Sequence, residues 1–417
     1  MANHVNPVQN ARAIFDHALS SVDPRAAVKQ AITHLDLSSR SIYSVAIGKA
    51  ATAMALGLDD ALDGKLTAGV IVSTSRHDSA KWQSFVGGHP MPNEASLAAA
   101  RAALALLDRA NDEETLVIFL ISGGGSAMME WPISDEISLV DLQRANEILV
   151  ACGARIAEVN AVRRAFSAVK GGALARRAPR ARMFTLIVSD TNRGDEASVA
   201  SGPTMAPSPD APKAIDVVEQ YHLDGALPHS IINVIKQAKD ATTMISGSYQ
   251  VILDNWSAVT AARDKAQELG FNCVTPQHIC EQPIEEGCDL LLSTISTPIT
   301  QNIAVISGGE FSCPVRGNGL GGRNLETVLR CAMHLDKASQ PIVVLSAGTD
   351  GIDGNSPAAG AIADETTIAR ARNLGLDPAG FLARSDSYTF FAELNDLILT
   401  GPTGTNVRDL RILLSNT

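Results

Sequence analysis

The chain has 417 residues, 45% of them hydrophobic and 19% charged, and its 34 lysines and arginines against 45 aspartates and glutamates give a net charge of −11. This length is enough for about two or three domains with large cores, and the acidic balance argues against a protein that binds nucleic acid or coats an anionic membrane. Aromatic residues make up only 4% of the chain, so few side chains are available on which bases could stack. A soluble enzyme is the class that these features favour.

The N-terminal residues and the cysteines both favour a cytoplasmic protein. Residues 1–7 are polar and lack the segments of a secretory signal, and apolar runs such as 116–121 are far shorter than the ~18 residues that span a bilayer. Six cysteines without CxxC spacing are typical of reduced thiols. Four residues of types that bind zinc fall within sixteen positions: Cys273, His278, Cys280 and Cys288. Because their spacing matches no common zinc pattern, we favour core cysteines over a metal site.

Seven short runs rich in valine and isoleucine end in glycine, serine or aspartate, as strands buried on both faces of a parallel sheet do. In chain order they cover 41–48, 68–73, 116–122, 185–190, 251–254, 303–307 and 341–346. Helical patterns separate these runs. Asn93 is a good N-cap for a helix over 94–109, and Ser138 with Asp141 gives a capping-box pattern that opens a helix towards Cys152.

Two further helices are predicted, one over about 155–170 that stops at two glycines, and one over 257–269. The alternation of strands and helices predicts an α/β architecture. The stretch 202–210 is rich in proline, which breaks regular structure. We therefore expect a boundary between one domain over 1–240 and a second over 248–417.

Ligands of open α/β sheets bind beyond the carboxyl ends of the strands, so the residues after each run are the candidates for a site. Lys49 follows the first run in a glycine turn, where a lysine can meet an anion beside backbone N–H groups. The alternative is a surface lysine, but a cation on the first helical turn opposes the helix dipole, so we favour function. Asp190, which ends the fourth run, suits Mg²⁺ ligation or a base role, and an aspartate that caps a turn is the equal alternative.

The third run is followed by a loop of three glycines between two serines: Ser122, Gly123, Gly124, Gly125 and Ser126. Glycines let the backbone approach a phosphate closely and point several N–H donors into one concavity. No Gly-Lys-Ser/Thr sequence ends the loop, so it is not a Walker A loop. We favour an anion-binding loop over a merely flexible one.

Two polar groups have a functional and a structural interpretation of about equal weight. His89 lies in a turn with two prolines, where it either contacts a ligand or belongs to a rigid turn. Asn160, Arg163 and Arg164 share one face of a predicted helix, and with Lys170 they concentrate positive charge in an acidic chain. That cluster is either a binding surface or a solvated basic face.

The C-terminal half contains a glycine-rich loop. Gly317, Gly319 and Gly322 satisfy GxGxxG, and a helix and a strand ending in Asp350 follow. This is a near-match to a dinucleotide-binding fingerprint, although the pattern recurs by chance and the acidic residue comes later than the usual ~20 residues. Arg323, directly after the last glycine, suits a clamp on a carboxylate or phosphate.

In their order along nearly the whole chain, these motifs closely resemble those of the class II glycerate kinase family. The matching segments are 48–51, 87–90, 122–127, Asn160 with Arg163, 170–172, 201–204, 321–324, 348–351 and 401–406. The resemblance implies ATP-dependent phosphorylation of glycerate to 2-phosphoglycerate, in a cleft between an N-terminal Rossmann-like domain with a parallel sheet and a C-terminal α/β domain of the MOFRL type. Some members have been labelled hydroxypyruvate reductases, so an NAD(P)H-dependent reductase is the alternative.

On this basis we expect Lys49 and Arg323 to hold the substrate carboxylate and the transferring phosphoryl group. Asp190 and Asp350 are the candidates for metal ligand and hydroxyl base, with Mg²⁺ as the metal, and the sequence does not divide those roles. Further contacts to reactants are expected from eleven residues: Ser122, Gly123, Gly124, Gly125, Ser126, His89, Asn160, Arg163, Lys170, Gly322 and Asn324.

Three segments depart from the family pattern. The segment 191–195 replaces a Val-Pro-Gly-Asp-like sequence, Leu325 replaces a glutamine, and 353–360 lacks an aspartate of the family. These differences leave a related small sugar acid open as the substrate. A sugar-acid sensor without catalysis, which would keep the basic groups but need neither Asp190 nor Asp350, is a further class. The sequence also leaves open whether the chain forms a homo-oligomer.

Overall fold

The computed structural model describes residues 6–238, 247–296, 302–336 and 341–415. These residues form two compact units, one within Pro24–Ile252 and the other within Leu253–Thr417 together with the segment that ends at Asp23. Each unit has its own six-stranded sheet. No helix of the described ranges is both long and apolar enough to cross a membrane.

The first unit is built on a parallel sheet. Its strands are β1 Ser41–Ile47, β2 Leu66–Ser73, β3 Trp82–Val86, β4 Thr115–Ser122, β5 Arg182–Val188 and β6 Ser248–Leu253. Their order is β3-β2-β1-β4-β5-β6, and the four pairings from β3 through to β5 are parallel. Every residue of β4 is buried, as expected for a central strand covered on both faces. The strand order reverses between β1 and β4, which is where a ligand crevice forms in such sheets.

The α-helices of this unit lie partly on the sheet and partly on one another. Among the described residues they are α2 Pro24–Ile32, α3 Ala51–Leu62, α4 Glu94–Arg109, α5 Gly125–Met128, α6 Leu139–Ala151, α7 Ile156–Ala165, α8 Ala173–Arg176, α9 Ala214–Gln220 and α10 His229–Gln237. Helix α3 packs on β1, β2 and β4, and α4 packs on β2 and β3. The predicted caps are confirmed, because Asn93 accepts from the N–H of Ser96 at 2.9 Å and Ser138 accepts from that of Asp141 at 3.1 Å.

The second unit contains a mixed sheet. Its strands are β7 Asn272–Val274, β8 Ile303–Gly309, β9 Ile342–Gly348, β10 Gly360–Ala363, β11 Leu397–Ile398 and β12 Asp409–Ser415, in the order β11-β10-β9-β12-β8-β7. Strand β12 lies between β8 and β9 and is antiparallel to both. The helices are α1 Pro7–Ser21, α11 Asn255–Glu268, α12 Ile284–Ile295, α13 Arg323–Leu335, α14 Thr367–Asn373, α15 Pro378–Ala383 and α16 Ser387–Leu394.

The packing divides the chain differently from the predicted domain ranges at two places. Helix α1 packs on α11, β9 and β12, and its buried Ile14 and Phe15 share a hydrophobic cluster with Leu345 of β9. Most of β6 groups with the first unit, because this strand pairs at the edge of the first sheet. The expected α/β architecture with two domains is confirmed, while the ranges 1–240 and 248–417 remain a prediction.

All seven predicted strands are present, with ends that shift by up to three residues. The predicted helix over 155–170 is too long, because α7 ends at Ala165. The next residues form an isolated antiparallel bridge with another segment: Ile133 N–H donates to the carbonyl of Phe166 at 2.9 Å, and Ala168 N–H donates to that of Trp131 at 2.8 Å. These hydrogen bonds replace the helical ones that residues 166–168 would otherwise make.

Candidate functional site

The turn after β1 and the glycine loop after β4 lie side by side at the point where the strand order reverses. Lys49 N–H donates to the carbonyl of Gly123 at 2.9 Å, and Ala50 N–H donates to Ser122 Oγ at 3.0 Å. Gly48 has φ +113°, and a Cβ there would lie 2.4 Å from the Ser122 carbonyl oxygen. Glycine is therefore required for this close approach. The structure brings together the two loops that the sequence assigned to anion binding.

Lys49 and His89 flank the middle of the glycine loop. A Cβ at Gly124 would lie 3.1 Å from Cγ of Lys49 and 3.2 Å from Cδ2 of His89. Lys49 is half-buried and His89 is exposed. A cation and an imidazole thus stand beside a backbone that has φ +80° and carries no side chain. This arrangement suits an anionic ligand, because the ligand can meet side-chain charge and backbone donors together.

A chain of hydrogen bonds supports the end of the glycine loop. Ser126 Oγ lies 2.7 Å from Ser201 Oγ, and Ser201 donates to Oδ1 of the buried Asn160 at 2.9 Å. Ser201 and the preceding Ala200 have φ values of 62° and 51°, in the left-handed region that costs non-glycine residues roughly 1 kcal/mol or more. Asn160, a predicted contact to reactants, therefore binds a serine of this strained turn.

Two other predicted binding residues contact protein groups in the structure. The Lys170 ammonium is buried and forms an ion pair with Glu130, which also accepts from Ser167 Oγ at 2.5 Å. Burial lowers the pKa of Lys170, and the charge of Glu130 opposes this shift. Arg163 donates to Oδ1 of Asn146 at 2.5 Å. Asn146 in turn donates at 3.0 Å to the carbonyl of Pro90, which follows His89.

Removing one partner of the buried Lys170–Glu130 pair is expected to destabilise the fold strongly. Lys170→Met leaves the buried Glu130 carboxylate without its cationic partner, so we expect a loss of about 3–5 kcal/mol in the free energy of unfolding. Urea denaturation measures this loss, and adding Glu130→Gln is expected to recover part of it because the charge is removed. A loss below ~1 kcal/mol in Lys170→Met would contradict the prediction.

Asp190 lies two residues beyond β5, at the same edge of the sheet as Lys49. Asp190 is half-buried. The segment 191–195 that follows it, one of the three that differ from the family pattern, forms a turn. In that turn, Thr191 N–H donates to Ser189 Oγ at 3.2 Å and Thr191 Oγ1 donates to the carbonyl of Asp195 at 3.3 Å. Across the described ranges, no three His, Cys, Asp or Glu side chains are grouped as a protein metal site requires, and this includes the zinc alternative in the second unit.

In the second unit, Arg323 opens α13 and binds two carboxylates. Its Nε and Nη2 donate to the two oxygens of Asp409 at 2.5 and 3.0 Å, and Nη2 lies 2.9 Å from Oε1 of Glu310. Burial by itself would lower the pKa of Arg323, but the charges of Asp409 and Glu310 hold it above its usual value. The guanidinium is therefore permanently charged and fixed in orientation.

Asp350 stands close to this ion pair. A Cβ at Gly348, the last residue of β9, would lie 3.2 Å from Oδ1 of Asp350 and 3.5 Å from Oδ1 of Asp409. Asp350 is half-buried, and its Oδ1 accepts from Ile352 N–H at 3.2 Å. The structure thus groups Arg323 with Asp350 in the second unit, and Lys49 with the glycine loop and the strand end at Asp190 in the first.

The glycine-rich loop before α13 does not have the geometry of a dinucleotide-binding loop. Residues 310–316 separate it from β8, whereas the fingerprint requires glycines directly after a strand. The first N–H groups of α13 are also occupied: those of Asn324 and Leu325 donate to the carboxylate of Asp353 at 3.1 and 2.8 Å. A pyrophosphate would need these same donors. The Asp353 carboxylate therefore occupies the position where a reductase of this kind would bind the pyrophosphate of its nicotinamide cofactor.

Gly322 and Asn324, both predicted contacts to reactants, pack against Asp353. A Cβ at Gly322 would lie 2.5 Å from Oδ1 of Asp353, and the Asn324 amide donates to the same oxygen at 3.2 Å. Asn324 is buried and also accepts from Ser346 Oγ at 2.6 Å. Both residues hold the start of α13 in place, and their predicted contact with reactants stays a prediction.

Burial raises the pKa of Asp353 from 3.8 to about 7, and the charge of Asp409 adds to this effect while the helix N–H groups oppose it. Between these two values the folded state binds more protons than the unfolded state, so the stability that Asp353 contributes falls as the pH rises through about 7. We therefore expect the wild type to lose stability relative to Asp353→Asn as the pH rises. The unfolding free energy of the wild type minus that of the variant should decrease by about 1 kcal/mol per pH unit across this window. Urea unfolding of both proteins at several pH values measures the slope, and parallel pH profiles would refute it.

Two of the segments that depart from the family pattern have structural roles. Leu325 is completely buried in the hydrophobic cluster of α13, so its side chain packs in the core. Asn355 accepts from Gly321 N–H at 2.9 Å and donates to the carbonyl of Gly319 at 3.1 Å. The altered segment 353–360 therefore positions the glycine-rich loop before α13.

Sequence reasoning missed the partners of the predicted residues, namely Glu130, Asn146 and Asp409. These lie 40, 17 and 86 positions from Lys170, Arg163 and Arg323. One signal was present, because Glu130 and Asp409 are single carboxylates beside apolar runs and a buried carboxylate needs a partner. Nothing in one sequence indicates which cation that partner is.

Comparisons with known proteins agree with this organisation. A model described as a domain of unknown function, DUF4147, matches residues 10–236, and the MOFRL family model matches 303–409. The D-glycerate 2-kinase of Thermotoga maritima is 35% identical over 414 residues, or 96% of this chain and 96% of that protein. A protein of Agrobacterium vitis with the provisional name hydroxypyruvate reductase is 35% identical over 425 residues, covering 99% of this chain and 95% of that protein. The crystal structure of T. maritima glycerate kinase matches with a TM-score of 0.85 and 33% identity, covering 98% of this chain and 99% of that one.

The fold and the matches define a two-domain α/β protein with a Rossmann-like parallel sheet in its first unit and a MOFRL region in its second. The chain belongs to the class II glycerate kinase family. The resemblance found in the sequence motifs is confirmed.

Proposed function

We propose that this protein is an ATP-dependent kinase that phosphorylates the 2-hydroxyl of D-glycerate to give 2-phosphoglycerate. The observation that carries the proposal is the locked pair of loops at the reversal of strand order, where Lys49 stands against the three-glycine loop. The names of the similar proteins support the reaction and the acceptor.

Phosphoryl transfer asks a protein mainly for positioning and for stabilisation of charge. In the reaction, the 2-oxygen of glycerate forms a bond to the γ-phosphorus, the bond from that phosphorus to the ADP oxygen breaks, and the hydroxyl proton passes to a carboxylate. Lys49 and the glycine loop would bind an anionic reactant group, and Arg323 would bind a second one. Asp190 or Asp350 would accept the proton.

Mg²⁺ fits the residues present. In kinases this ion is held by one or two carboxylates together with substrate phosphates and water, so a complete protein site is not required. Asp190 and Asp350 are half-buried carboxylates that follow strand ends, and we propose that at least one of them holds the ion. When bound, Mg²⁺ would neutralise phosphate charge.

We further propose that the protein acts in the cytoplasm on small molecules and without nucleic acid. All six cysteines are free, which suits a reducing compartment. The net charge of −11 suits an enzyme that attracts anions only at local basic groups.

The deciding experiment offers the purified protein two reactions. D-glycerate, ATP and Mg²⁺ are expected to give ADP, with 2-phosphoglycerate as the product, and a chelator is expected to stop the reaction. Hydroxypyruvate with NADH or NADPH is expected to give no consumption of cofactor, because Asp353 occupies the donors at the start of α13. Oxidation of NADH without release of ADP would overturn the proposal. Release of ADP only with another sugar acid would retain the chemistry and change the substrate.

Asparagine variants of the two candidate carboxylates separate the metal and base roles. Asp190→Asn and Asp350→Asn keep the shape of the side chain but remove the charge that binds Mg²⁺ or accepts a proton. We expect the variant that lost a metal ligand to regain part of its activity when Mg²⁺ is raised, and the variant that lost the base to show no such response. Steady-state rates across a Mg²⁺ titration measure this difference. Full activity in both variants would remove both residues from the mechanism.

A further inference from the structure

Arg164, in the last turn of α7, is a half-buried cation whose charge has no evident counterpart. Within the described parts of the chain, no hydrogen bond or ion pair holds its guanidinium, and burial lowers its pKa. The charged neighbours differ in this respect: Arg155 pairs with Glu158 at 3.2 Å, and Lys170 pairs with Glu130. A partly desolvated charge that lacks a partner costs free energy, so its presence in the fold calls for a compensating role.

The position of Arg164 relates it to the glycine loop. Residues 160 and 164 are four apart on α7 and share a face of the helix. On that face, Asn160 accepts from Ser201, whose hydroxyl lies 2.7 Å from that of Ser126 at the end of the loop. The face that presents Asn160 to this chain of hydroxyls therefore also presents Arg164, one turn further along.

A second contact places the Arg164 side chain on the same structure. A Cβ at Gly171 would lie 2.9 Å from Cδ of Arg164, so the arginine stem lies directly against this glycine. Gly171 N–H donates at 3.1 Å to the carbonyl of Ser201. Ser201 is therefore linked to α7 twice, through the hydrogen bond to Asn160 and through Gly171, against which Arg164 packs.

We propose that Arg164 is a binding residue for an anionic group of a reactant held at the three-glycine loop, either the carboxylate of the acceptor or a phosphate of the nucleotide. The inference rests on the proposed function for the identity of those reactants. Both groups present the anionic oxygens that a planar guanidinium binds with two parallel hydrogen bonds. The ligand would supply the counter-charge that the described protein residues do not.

The test compares Arg164→Ala with Arg164→Lys and with the control Arg177→Ala. Arg177 is an exposed arginine of the same unit that pairs with Asp108 at 2.5 Å, so its loss changes the net charge equally. We expect Arg164→Ala to raise KM for one reactant by roughly 10- to 100-fold, with the larger effect on KM than on kcat, and Arg164→Lys to restore part of the affinity. The control should leave both KM values unchanged. A rise confined to glycerate identifies the carboxylate, and one confined to ATP identifies a phosphate.

Thermal unfolding supplies a readout that does not depend on turnover. Without ligand, Arg164→Ala is expected to melt at the same temperature as the wild type or higher, because an unpaired desolvated charge has been removed. The stabilisation of the wild type by ATP alone or by glycerate alone should be reduced in the variant. If the wild type binds a ligand without turnover, this assay still tests Arg164 while the kinase proposal fails. Unchanged ligand affinities in Arg164→Ala, or in Arg164→Lys should the alanine variant not fold, would overturn the inference, as would a wild type that binds neither ligand.

Discussion

Lys49→Ala is expected to lower kcat by about 10²-fold or more, the cost typical of losing one preorganised electrostatic partner of a transition state. The side chain stands beside Gly124 in the glycine loop, where charge on the transferring group would be neutralised. The melting temperature should hardly change, because the hydrogen bond that locks the two loops uses the Lys49 backbone N–H and not the ammonium. Steady-state kinetics and thermal unfolding on the same preparation measure both quantities.

The matched control is Lys65→Ala, which removes an exposed lysine from the turn before β2 in the same unit. This variant loses the same charge, so a reduction of kcat that is specific to Lys49 cannot be an effect of net charge. Near-normal turnover in Lys49→Ala would remove the residue from the mechanism. A large drop in melting temperature would instead indicate that the side chain supports the loop.

Strands β1, β2, β4 and β5 of the first sheet could be predicted because burial on both faces leaves a simple signal. The edge strand β3 was not predicted, since only Trp82 of its five residues is buried. Run 116–122 is apolar at nearly every position, and the structure buries all of β4. The site loops could be predicted for a related reason, since ligands of such sheets meet the chain after the strand ends. The turn at Lys49 and the loop from Ser122 to Ser126 do lie together, as that rule requires.

Strand β12 was not predicted, because two charged residues interrupt its apolar pattern. Asp409 and Arg411 are both buried, and each is satisfied by a group far away in sequence. Asp409 binds Arg323, while the Arg411 guanidinium lies 3.7 Å from the ring centre of Phe311 and donates to the carbonyl of Gly308. A charged residue in a sequence normally indicates the protein surface, but pairing with a distant group lets it lie in the core. A single sequence does not reveal such pairing.

The same limit applies to the basic cluster of α7 and the loop after it. Spacing correctly placed Asn160 and Arg163 on one helix but did not show that Asn160 binds Ser201 or that Arg163 binds Asn146. It also did not show that Lys170 would be neutralised by Glu130. Of this cluster, Arg164 is the cation for which the described residues supply no partner, although spacing alone gave it no priority over its neighbours.

Arg323→Lys is expected to impair catalysis strongly, by about 10²-fold or more in kcat/KM, because a point charge cannot reproduce a planar fork. Two nitrogens of Arg323 bind the two oxygens of Asp409, and this fixes the plane in which the guanidinium meets a reactant. A lysine ammonium would keep the charge but lose that orientation. The free energy of unfolding is expected to fall by about 1–3 kcal/mol, since one oxygen of a buried carboxylate loses its donor.

Arg330→Lys in the same helix separates the two effects of this substitution. Arg330 binds Oε1 of the buried Glu326 through Nε at 3.0 Å and Nη2 at 2.8 Å, so its replacement also removes a buried fork from α13. We expect this control to lose comparable stability in urea denaturation and to keep kcat/KM within about twofold of the wild type. If Arg323→Lys loses stability to the same extent but retains its kcat/KM, Arg323 only anchors β12 to α13. Loss of kcat/KM in Arg323→Lys alone would establish that the orientation of its guanidinium serves the reaction.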